Sequence, residues 1–386
     1  MGLFTYGIGL ATVGAPERIT GRPAGGAGPD RPTTTTGLTA GWGERRMTWS
    51  DQQPAHTRWA IRGTGSHLPE RRIPSTEVSR SLGLEPDWIE RRTGIRNRHV
   101  AAPGRAASDL AAAAAHEALD AAGLRPDDIG LIVLGTSTPD ELGPSTACRV
   151  QALIGARAAA AFDVAAACSG FVFGLQAALG WLAAQRGAAP YALVIGVEVY
   201  SRFLDPADRG TAALFGDGAA AAVVGPVPAP YGIGPVTLGS DGTRAGDVLI
   251  PAGGARRPPP PPPPPDLGHT IHMDGRAVRD FITAILPRLV AEACEDAAVK
   301  PADLALVVPH QPNPRLVASL AGPLGLDPAQ LMIAGEDVGN IGAASLPYAL
   351  DRAVRTGRVK GGDLVLLAGF GAGLTWGRTL ITWPDA

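Results

Sequence analysis

The 386-residue chain has little lysine, cysteine or aromatic side chain, and each shortage excludes a class of protein. Lysine occurs only at Lys300 and Lys360, so arginine supplies nearly all of the positive charge. The net charge is −2, and no basic patch with interleaved aromatics exists, which argues against a nucleic-acid-binding protein. The three cysteines, Cys148, Cys168 and Cys294, are too few and too scattered for a disulfide framework or a zinc site.

Long apolar runs are also missing from the sequence. No stretch of 18 or more apolar residues occurs, so we expect no membrane span. With 45% hydrophobic residues, the chain can bury a large core in one or two domains. These features together predict a cytoplasmic enzyme without a metal centre.

Cys168 lies where a buried strand is expected to lead into a helix. The segment 162–171 passes from apolar residues through small ones into the helical periodicity of residues 171–185. A thiol in the first helical turn meets unpaired N–H groups and the positive end of the helix dipole. Both favour the thiolate, which is the nucleophilic form. This segment alone leaves two interpretations open, a nucleophile or a small core cysteine.

The sequence also contains an internal duplication. Residues 113–199 have a counterpart at 281–373, and ALDAAGLRPDDIGLIVL from Ala118 resembles ACEDAAVKPADLALVVP from Ala293. Each copy reads as a helix, a proline turn and a buried strand. Farther along, Cys168 aligns with Asn340, again before a helix and a strand. Unless Ala-rich helices produce this likeness by chance, a pseudo-two-fold axis brings the two equivalent helix starts together.

His310 follows the apolar segment 304–308 within the second copy. The carboxyl ends of strands in open α/β sheets are where ligands bind, so this histidine is placed for chemistry. By itself it could also be a satisfied turn histidine. Together with Cys168 and Asn340, it gives a nucleophile with two neutral hydrogen-bond donors.

Six motifs resemble those of β-ketoacyl-acyl-carrier-protein synthase III, a condensing enzyme of the thiolase superfamily. In chain order they are DWIERRTGI (87–95), DVAAACSGF (163–171), DPADRGT (205–211), PHQPN (309–313), GNIGAAS (339–345) and GFGAGLTWG (369–377). The resemblance runs from about residue 59 to 382. It implies a thiolase-like α/β fold, with two pseudo-two-fold-related repeats in five layers, α/β/α/β/α, and it implies assembly as a homodimer.

The resemblance also implies a reaction and its residues. Cys168 takes an acyl group from acyl-CoA, which is a substrate rather than a bound cofactor. Malonyl-acyl-carrier protein then loses CO2, and His310 and Asn340 stabilise the enolate that attacks the acyl group. The product is a β-ketoacyl thioester, for fatty acid or polyketide initiation. The other roles carried over are an oxyanion loop (Gly371, Ala372, Gly373), CoA contacts (Trp88, Arg92, Arg209) and carrier-protein docking (Arg315).

Four positions depart from the family pattern. Gly143 stands where a bulky aromatic often reaches into the partner's acyl pocket, so we hypothesise a primer larger than acetyl. Ile341 and Gly342 follow Asn340 in place of the usual hydroxyl pair. Ala372 replaces a glycine, which would weaken the oxyanion loop if the backbone there needs a positive φ.

The outer parts of the chain are organised as follows. Residues 1–57 are predicted to be a disordered or mis-annotated extension. Residues 58–228 form the half with Cys168, and residues 229–386 form the half with His310 and Asn340. Eight prolines at 258–265 predict a stiff loop in the second half.

Two alternative functions stay open. One is acyl transfer to an alcohol or amine in specialised metabolism, without carbon–carbon bond formation. The presence of both His310 and Asn340 favours decarboxylation, because simple transfer needs no enolate site. The other is a silent partner subunit of a heteromeric synthase, against which the intact Cys168 counts.

Overall fold

The described chain is built on two mixed β-sheets, each assembled from strands of one half of the sequence. The computed structural model describes residues 58–184, 191–258 and 267–385. The predicted extension at 1–57, and residues 259–265 of the proline run, lie outside the described residues. The sheets use strands on either side of residue 228, but the division into halves at that position stays a prediction.

The elements are numbered in chain order. The strands are β1 (Arg58–His67), β2 (Arg71–Pro74), β3 (Asn97–Val100), β4 (Ile129–Gly135), β5 (Ala160–Val164), β6 (Tyr191–Val199), β7 (Asp217–Val227), β8 (Gly232–Ile233), β9 (Thr237–Ser240), β10 (Val248–Leu249), β11 (His272–Met273), β12 (Leu306–Pro309), β13 (Leu364–Gly371) and β14 (Thr375–Thr382). The helices are α1 (Ser75–Ser81), α2 (Trp88–Thr93), α3 (Ala107–Ala122), α4 (Thr146–Ile154), α5 (Gly170–Ala184), α6 (Arg209–Ala212), α7 (Gly275–Ala297), α8 (Pro314–Ala318) and α9 (Ser345–Arg355).

The two sheets share one topology. In the first, the order is β1-β7-β6-β4-β5, with β4 parallel to β5 and β6, and β7 antiparallel to β6 and β1. In the second, the order is β8-β14-β13-β12, with β12 parallel to β13 and β14 antiparallel to β13 and β8. A parallel bridge between Val307 and Leu331 occupies the place that β5 has in the first sheet. The predicted duplication is therefore confirmed.

The two copies also repeat a local detail at the strand entrances. A 3₁₀ turn with proline at its start, Pro126–Asp128 or Pro301–Asp303, leads into β4 or β12. In the first copy, the Arg125 N–H donates to Asp128 at 2.8 Å, and in the second the Lys300 N–H donates to Asp303 at 2.7 Å. Each carboxylate satisfies a backbone donor at the turn, so the same sequence signal builds the same turn twice.

Alternating side chains of the central strands divide the core into layers. In β4, Leu131 and Val133 pack with α5 and α9 between the sheets, while Ile132 and Leu134 pack with α3 and α4 outside. In β13, Leu367 faces the same central layer, and its neighbours Leu366 and Ala368 face α7. Strands buried on both faces read as continuous apolar runs, as they do here. The five-layer α/β/α/β/α prediction is confirmed.

The central helix accounts for the most apolar stretch of the described chain. By length and composition alone, Ala167–Ala184 could cross a membrane. It contains α5, whose Phe171, Leu175 and Leu182 are buried between the two sheets. Core helices of this kind pass the same test, so the observation is weak evidence for a span. Among the described residues, no group of three or more His, Cys, Asp or Glu side chains is arranged to hold a metal ion.

Candidate active site

Cys168 lies between the end of β5 and the start of α5, in a 3₁₀ turn spanning Ala167–Ser169. The α-helix proper begins at Gly170, so the cysteine precedes it instead of occupying its first turn. The residue before it, Ala167, has φ of +46°, which L side chains rarely adopt. A sharp local turn therefore presents the Cys168 side chain, which is partly exposed to a cavity.

The electrostatics of Cys168 differ from the sequence expectation. We expected the helix start to favour the thiolate, but burial raises the pKa of the Cys168 thiol to about 12. The charge of Glu198 raises it further, while interaction with the Tyr200 hydroxyl lowers it. Desolvation penalises the charged form more than the short turn can compensate. Burial therefore favours the neutral thiol, which is opposite to the direction that we expected from the turn alone.

His310 stands at the carboxyl end of β12, as predicted. The backbone N–H of His310 donates to the Ala368 carbonyl oxygen at 2.9 Å, which fixes the residue against β13. The ring packs edge-on against Phe370, with centroids 5.4 Å apart. Burial lowers the pKa of His310 to about 3, so the imidazole is neutral. The Nδ1 atom is buried without a hydrogen-bond partner, which leaves Nε2 as the ring nitrogen available to the cavity.

Asn340 precedes the 3₁₀ turn Gly342–Ala344 that leads into α9. Its backbone is held on both sides: the Asn340 N–H donates to the Leu214 carbonyl oxygen at 2.8 Å, and Gly216 donates to the Asn340 carbonyl oxygen at 3.0 Å. The side-chain Oδ1 accepts from the Gly342 N–H at 2.9 Å. That bond assigns the oxygen to the backbone and leaves the NH₂ group as a donor.

One cavity of about 810 Å³ brings the three predicted residues together. Cys168, His310 and Asn340 all line it, although they come from widely separated parts of the sequence. The rest of its wall is largely apolar, including Phe215, Ile271, Val278, Phe281, Ile282 and Leu316. Such a wall suits an acyl chain and keeps the polar groups in a poorly hydrated setting.

The predicted oxyanion loop lies directly against Cys168. A Cβ on Gly371 would come within 2.7 Å of the Cys168 backbone nitrogen, so only glycine fits there. Among described non-glycine residues, only Ala167 and Ala298 have positive φ, so Ala372 adopts a backbone open to any residue. The positive φ, +123°, belongs to Gly373. The substitution at Ala372 therefore does not strain the loop. Gly371 and Ala372 line the cavity.

A single hydroxyl ties this loop to the cysteine turn. Thr375 Oγ1 lies 2.9 Å from the Ala372 carbonyl oxygen and 3.1 Å from that of Ala166. The Ser169 hydroxyl oxygen lies 2.6 Å from Thr375 Oγ1. Because these contacts join strand β14 to both backbone segments, Thr375 sets their separation. No sequence motif singles out this threonine.

The four positions assigned to CoA and carrier protein are also at the cavity. Trp88, Arg92, Arg209 and Arg315 all line it. The Arg92 guanidinium carbon lies 5.3 Å from the centre of the Trp88 ring, a stacked cation–π arrangement. An indole face and several guanidinium groups therefore line the same cavity as Cys168. Gly143 is different: it is exposed, and it does not line the cavity of its own chain.

Sequence reasoning missed two buried residues beside the cysteine. Glu198 lies near the end of β6, and Tyr200 directly follows that strand and lines the cavity. Glu198 is fully buried, and burial raises its pKa to about 7. The available signal was a carboxylate inside the otherwise apolar strand Tyr191–Val199. Buried carboxylates need a reason, because desolvation of the charge is costly.

Comparison with known families matches both halves of the chain. Residues 162–242 match the model for 3-oxoacyl-[acyl-carrier-protein (ACP)] synthase III, and residues 294–383 match the model for the C-terminal part of the same enzyme. Acetoacetyl CoA synthase NphT7 of Streptomyces sp. (strain CL190) is 46% identical over 330 residues, covering 84% of this chain and 99% of the relative. Beta-ketoacyl-[acyl-carrier-protein] synthase III of Caldanaerobacter subterraneus subsp. tengcongensis is 42% identical, covering 84% and 97%.

Solved structures agree with these matches. The 3-oxoacyl-[acyl-carrier-protein] synthase III of Aquifex aeolicus VF5 superimposes with a TM-score of 0.76 at 36% identity, covering 85% of this chain and 100% of that one. The priming beta-ketosynthase from the R1128 polyketide biosynthetic pathway gives a TM-score of 0.77 at 35% identity, covering 87% and 99%.

Proposed function

Because the chain belongs to the 3-oxoacyl-[acyl-carrier-protein] synthase III family, we propose that it joins an acyl primer to a malonyl thioester by decarboxylative Claisen condensation. The observation that carries this proposal is the shared cavity of Cys168, His310 and Asn340. A nucleophile, a neutral imidazole and a carboxamide with a free NH₂ group are the components that such a reaction needs. The proposed location is the cytoplasm, where acyl-CoA is available.

The first half-reaction is priming. The Cys168 sulfur attacks the carbonyl of an acyl-CoA, the carbon–sulfur bond to CoA breaks, and CoA leaves as a thiol. The negative charge that develops on the carbonyl oxygen is stabilised by backbone N–H groups of the cysteine turn and the Gly371–Ala372–Gly373 loop. The contact between Gly371 and the Cys168 backbone supports this placement.

The second half-reaction is condensation. A malonyl thioester loses CO2, and the thioester oxygen acquires the charge of an enolate. His310 Nε2–H and the Asn340 NH₂ group donate to that oxygen. Burial lowers the pKa of His310, so the ring donates this hydrogen bond as a neutral imidazole and not as an imidazolium. The enolate carbon then attacks acyl-Cys168 and releases the β-ketoacyl thioester.

The entrance is arranged for the CoA part of the primer. Trp88 and Arg92 offer a flat face for the adenine, and Arg209 adds a positive charge for phosphate. Arg315 is exposed on α8 near the opening, where it would meet an acidic carrier protein. Malonyl-CoA is the other possible extender. The similarity to a relative named acetoacetyl CoA synthase makes it a necessary arm of the test.

We propose a homodimer formed at the free edge of the first sheet. Strand β5 ends that sheet and has no outer neighbour within the described chain. Large apolar side chains are exposed around it: Leu142 at 84%, Leu153 at 53% and Phe162 at 41%. An unpaired edge with apolar side chains favours pairing with a second copy. Gly143, next to Leu142, would then face the partner, where a missing ring leaves room for a primer larger than acetyl.

The experiment is intact-mass analysis of the full chain after incubation with acetyl-, isobutyryl- and octanoyl-CoA. One acyl adduct is expected, absent from Cys168→Ala and retained in Cys148→Ala and Cys294→Ala. Adding malonyl-CoA or malonyl-carrier protein is expected to discharge the adduct as a β-ketoacyl product, and the faster of the two identifies the extender. Discharge to an alcohol or amine without CO2 release would establish the transferase instead. Acylation by acetyl-CoA alone would refute the larger primer.

A further inference from the structure

Gln311 is a buried polar side chain next to His310 that has no part in the reaction described so far. It is 1% exposed and does not line the cavity, whereas His310 and Pro312 on either side of it do. A buried carboxamide costs free energy unless its donor and its acceptor are both satisfied. The partners of Gln311 therefore show what the side chain holds in place.

Three hydrogen bonds join the Gln311 side chain to one backbone segment. Its Nε2 donates to the Met332 carbonyl oxygen at 2.8 Å, and its Oε1 accepts from the Ala334 N–H at 2.7 Å and the Gly335 N–H at 2.8 Å. These distances are those of well-formed hydrogen bonds. Both ends of the amide are thus used to hold the same stretch of chain.

The segment held by Gln311 begins alongside β12. The Met332 N–H donates to the Val307 carbonyl oxygen at 2.9 Å, and Leu331 pairs with Val307 in the parallel bridge. The segment therefore starts beside the strand that leads into His310. The Gln311 amide extends this attachment beyond the last residue of the strand.

The same segment leads into Asn340. A 3₁₀ turn spans Gly335–Asp337, and the Gly339 N–H donates to the Gly335 carbonyl oxygen at 2.8 Å. Gly335 is therefore bonded to Gln311 through its N–H and to the residue before Asn340 through its carbonyl oxygen. Two consecutive hydrogen bonds connect the two carboxamide-bearing parts of the chain.

Packing around Gly335 is too close for a side chain. A Cβ on this glycine would lie 2.9 Å from Pro314 Cγ, 3.4 Å from Gln311 Oε1 and 3.5 Å from Gln311 Cβ. Pro314 begins α8, a few residues after His310. Because the neighbours on this side are so near, the turn that leads to Asn340 has little room to shift relative to Gln311.

We propose that Gln311 is a positioning residue that sets the separation between the His310 imidazole and the Asn340 carboxamide. His310 and Gln311 are consecutive, so the three hydrogen bonds fix the chain leading to Asn340 relative to the backbone that carries the imidazole. Both donors must reach one enolate oxygen, and a misplacement of about 1 Å can cost on the order of 100-fold in rate.

This inference rests on the proposed condensation, and it predicts an effect on that half-reaction alone. Cys168 is presented by the turn between β5 and α5, whereas the hydrogen bonds of Gln311 end at residues 332–335. Priming uses the cysteine and the oxyanion loop. It therefore does not depend on the distance between the two enolate donors.

A glutamine at the other end of β12 provides the matched control. Gln330 Nε2 donates to the Leu304 carbonyl oxygen at 2.5 Å, and its Oε1 accepts from the Asp327 N–H at 2.9 Å. It is partly buried and also joins a loop to the chain beside β12, but it does not line the cavity. Gln330→Met is expected to lower the melting temperature without changing either half-reaction.

The test measures the two half-reactions separately in wild type, Gln311→Met and Gln330→Met. Priming is the rate of acyl-Cys168 formation from a CoA thioester that acylates wild type, followed by rapid quench and intact mass. Condensation is the rate at which the isolated acyl-enzyme is discharged by a malonyl thioester, so only molecules that accepted the acyl group are counted. Gln311→Met is expected to slow condensation about 100-fold and to leave priming within about two-fold.

A double-mutant cycle with Asn340→Ala tests whether Gln311 acts through the pair of donors. When the Asn340 amide is already absent, no separation remains to be set, so Gln311→Met is expected to slow condensation less than about 5-fold further. A further loss as large as the one in the wild-type background would show that Gln311 acts by another route. That result would overturn the proposal.

Gly335→Ala approaches the same contact from the other side. The added methyl group is expected to push the turn away from Gln311 and to slow condensation more than priming. This smaller change also decides the question if Gln311→Met does not fold. Wild-type condensation in a folded Gly335→Ala protein would then count against the positioning role.

The outcomes separate the two proposals. If wild type takes no acyl group, or if a malonyl thioester does not discharge the acyl-enzyme with release of CO2, the proposed function fails. If wild type condenses and Gln311→Met condenses equally fast, the positioning role alone is overturned. Equal losses of priming and condensation in Gln311→Met would show a general effect on the fold, which refutes the positioning role as well.

Discussion

The side-chain oxygen of Asn340 accepts a hydrogen bond from the backbone N–H of Gly342 at 2.9 Å. The amide is therefore oriented by the chain that carries it, two residues away. An oxygen engaged in this way leaves the NH₂ group to serve the cavity. The same contact explains why a carboxamide is needed: its oxygen accepts from the backbone, and its NH₂ group donates into the cavity.

Asn340→Asp tests this division of roles. Aspartate keeps an acceptor for Gly342 but replaces the donor with a second, negatively charged oxygen next to the enolate. Condensation is expected to fall by about 10²–10³, the usual effect of losing one such donor. Acylation of Cys168 by acyl-CoA is expected to persist, as measured by intact mass. Condensation at the wild-type rate would show that Asn340 does not contact the enolate.

Thr375 is expected to position the oxyanion loop. Thr375→Val removes the hydroxyl that lies within hydrogen-bonding distance of the Ala372 and Ala166 carbonyl oxygens. We expect the rates of both half-reactions to fall about 10-fold, because the backbone N–H groups of the oxyanion loop would be less well positioned. The same N–H groups stabilise the tetrahedral intermediate of each half-reaction. Steady-state and single-turnover rates measure it.

Thr379→Val provides the control for that substitution. Thr379 lies on the same strand, is fully buried, and donates to the Gly234 carbonyl oxygen at 3.1 Å, away from the cavity. A similar loss of thermal stability with unchanged rates is expected. Equal losses of activity in the two variants would indicate a general weakening of β14.

The sequence was sufficient to predict that Cys168, His310 and Asn340 meet at one cavity, because each one follows a recognisable strand or precedes a recognisable helix. The duplication is confirmed by the matching strand orders of the two sheets, but the alignment of Cys168 with Asn340 was wrong by three residues. The turns Ala167–Ser169 and Gly342–Ala344 correspond, with positive φ at Ala167 and Gly342, so the counterpart of Cys168 is Ala343. Those signals are local or repeat at a fixed spacing, so a single sequence is enough to recognise them.

Glu198 and the resting state of Cys168 could not be predicted in this way. Glu198 meets Ser137 and Ala343, which are 61 and 145 residues away, so no local pattern records the contact. The pKa of Cys168 depends on burial of the thiol, which outweighs the favourable turn. Helix-terminus arguments consider one element at a time. Here the packing of several elements decides the protonation state.

The loop at residues 371–373 gives a pair of opposite predictions. Ala372→Gly is expected to leave both rates within about two-fold and to lower the free energy of unfolding by about 0.4–1 kcal/mol, because it only adds freedom to the unfolded chain. Gly373→Ala is expected to cost more, since φ is +123° and the new Cβ would lie 2.9 Å from Thr375 Cγ2. Thermal melting and acylation rates measure both. Faster condensation in Ala372→Gly would mean that alanine constrains the loop after all.

The raised pKa of Glu198 also makes stability depend on pH. Folding raises this pKa from 4.5 to about 7, so the folded state holds the proton more tightly than the unfolded chain. The resulting stability is fully present below pH 4.5 and is lost as pH rises through about 7. The glutamine of Glu198→Gln cannot ionise, so this variant does not lose stability in this way as the pH rises. The stability of wild type relative to Glu198→Gln is therefore expected to fall between pH 5 and pH 8, by a free energy of unfolding of the order of 1 kcal/mol or more. The difference between the two melting temperatures at each pH measures this loss. Comparing the two proteins at each pH cancels the other titrating groups, including Asp217. A gap that stays constant across this range, or widens in favour of wild type, would show that Glu198 is already ionised at pH 5.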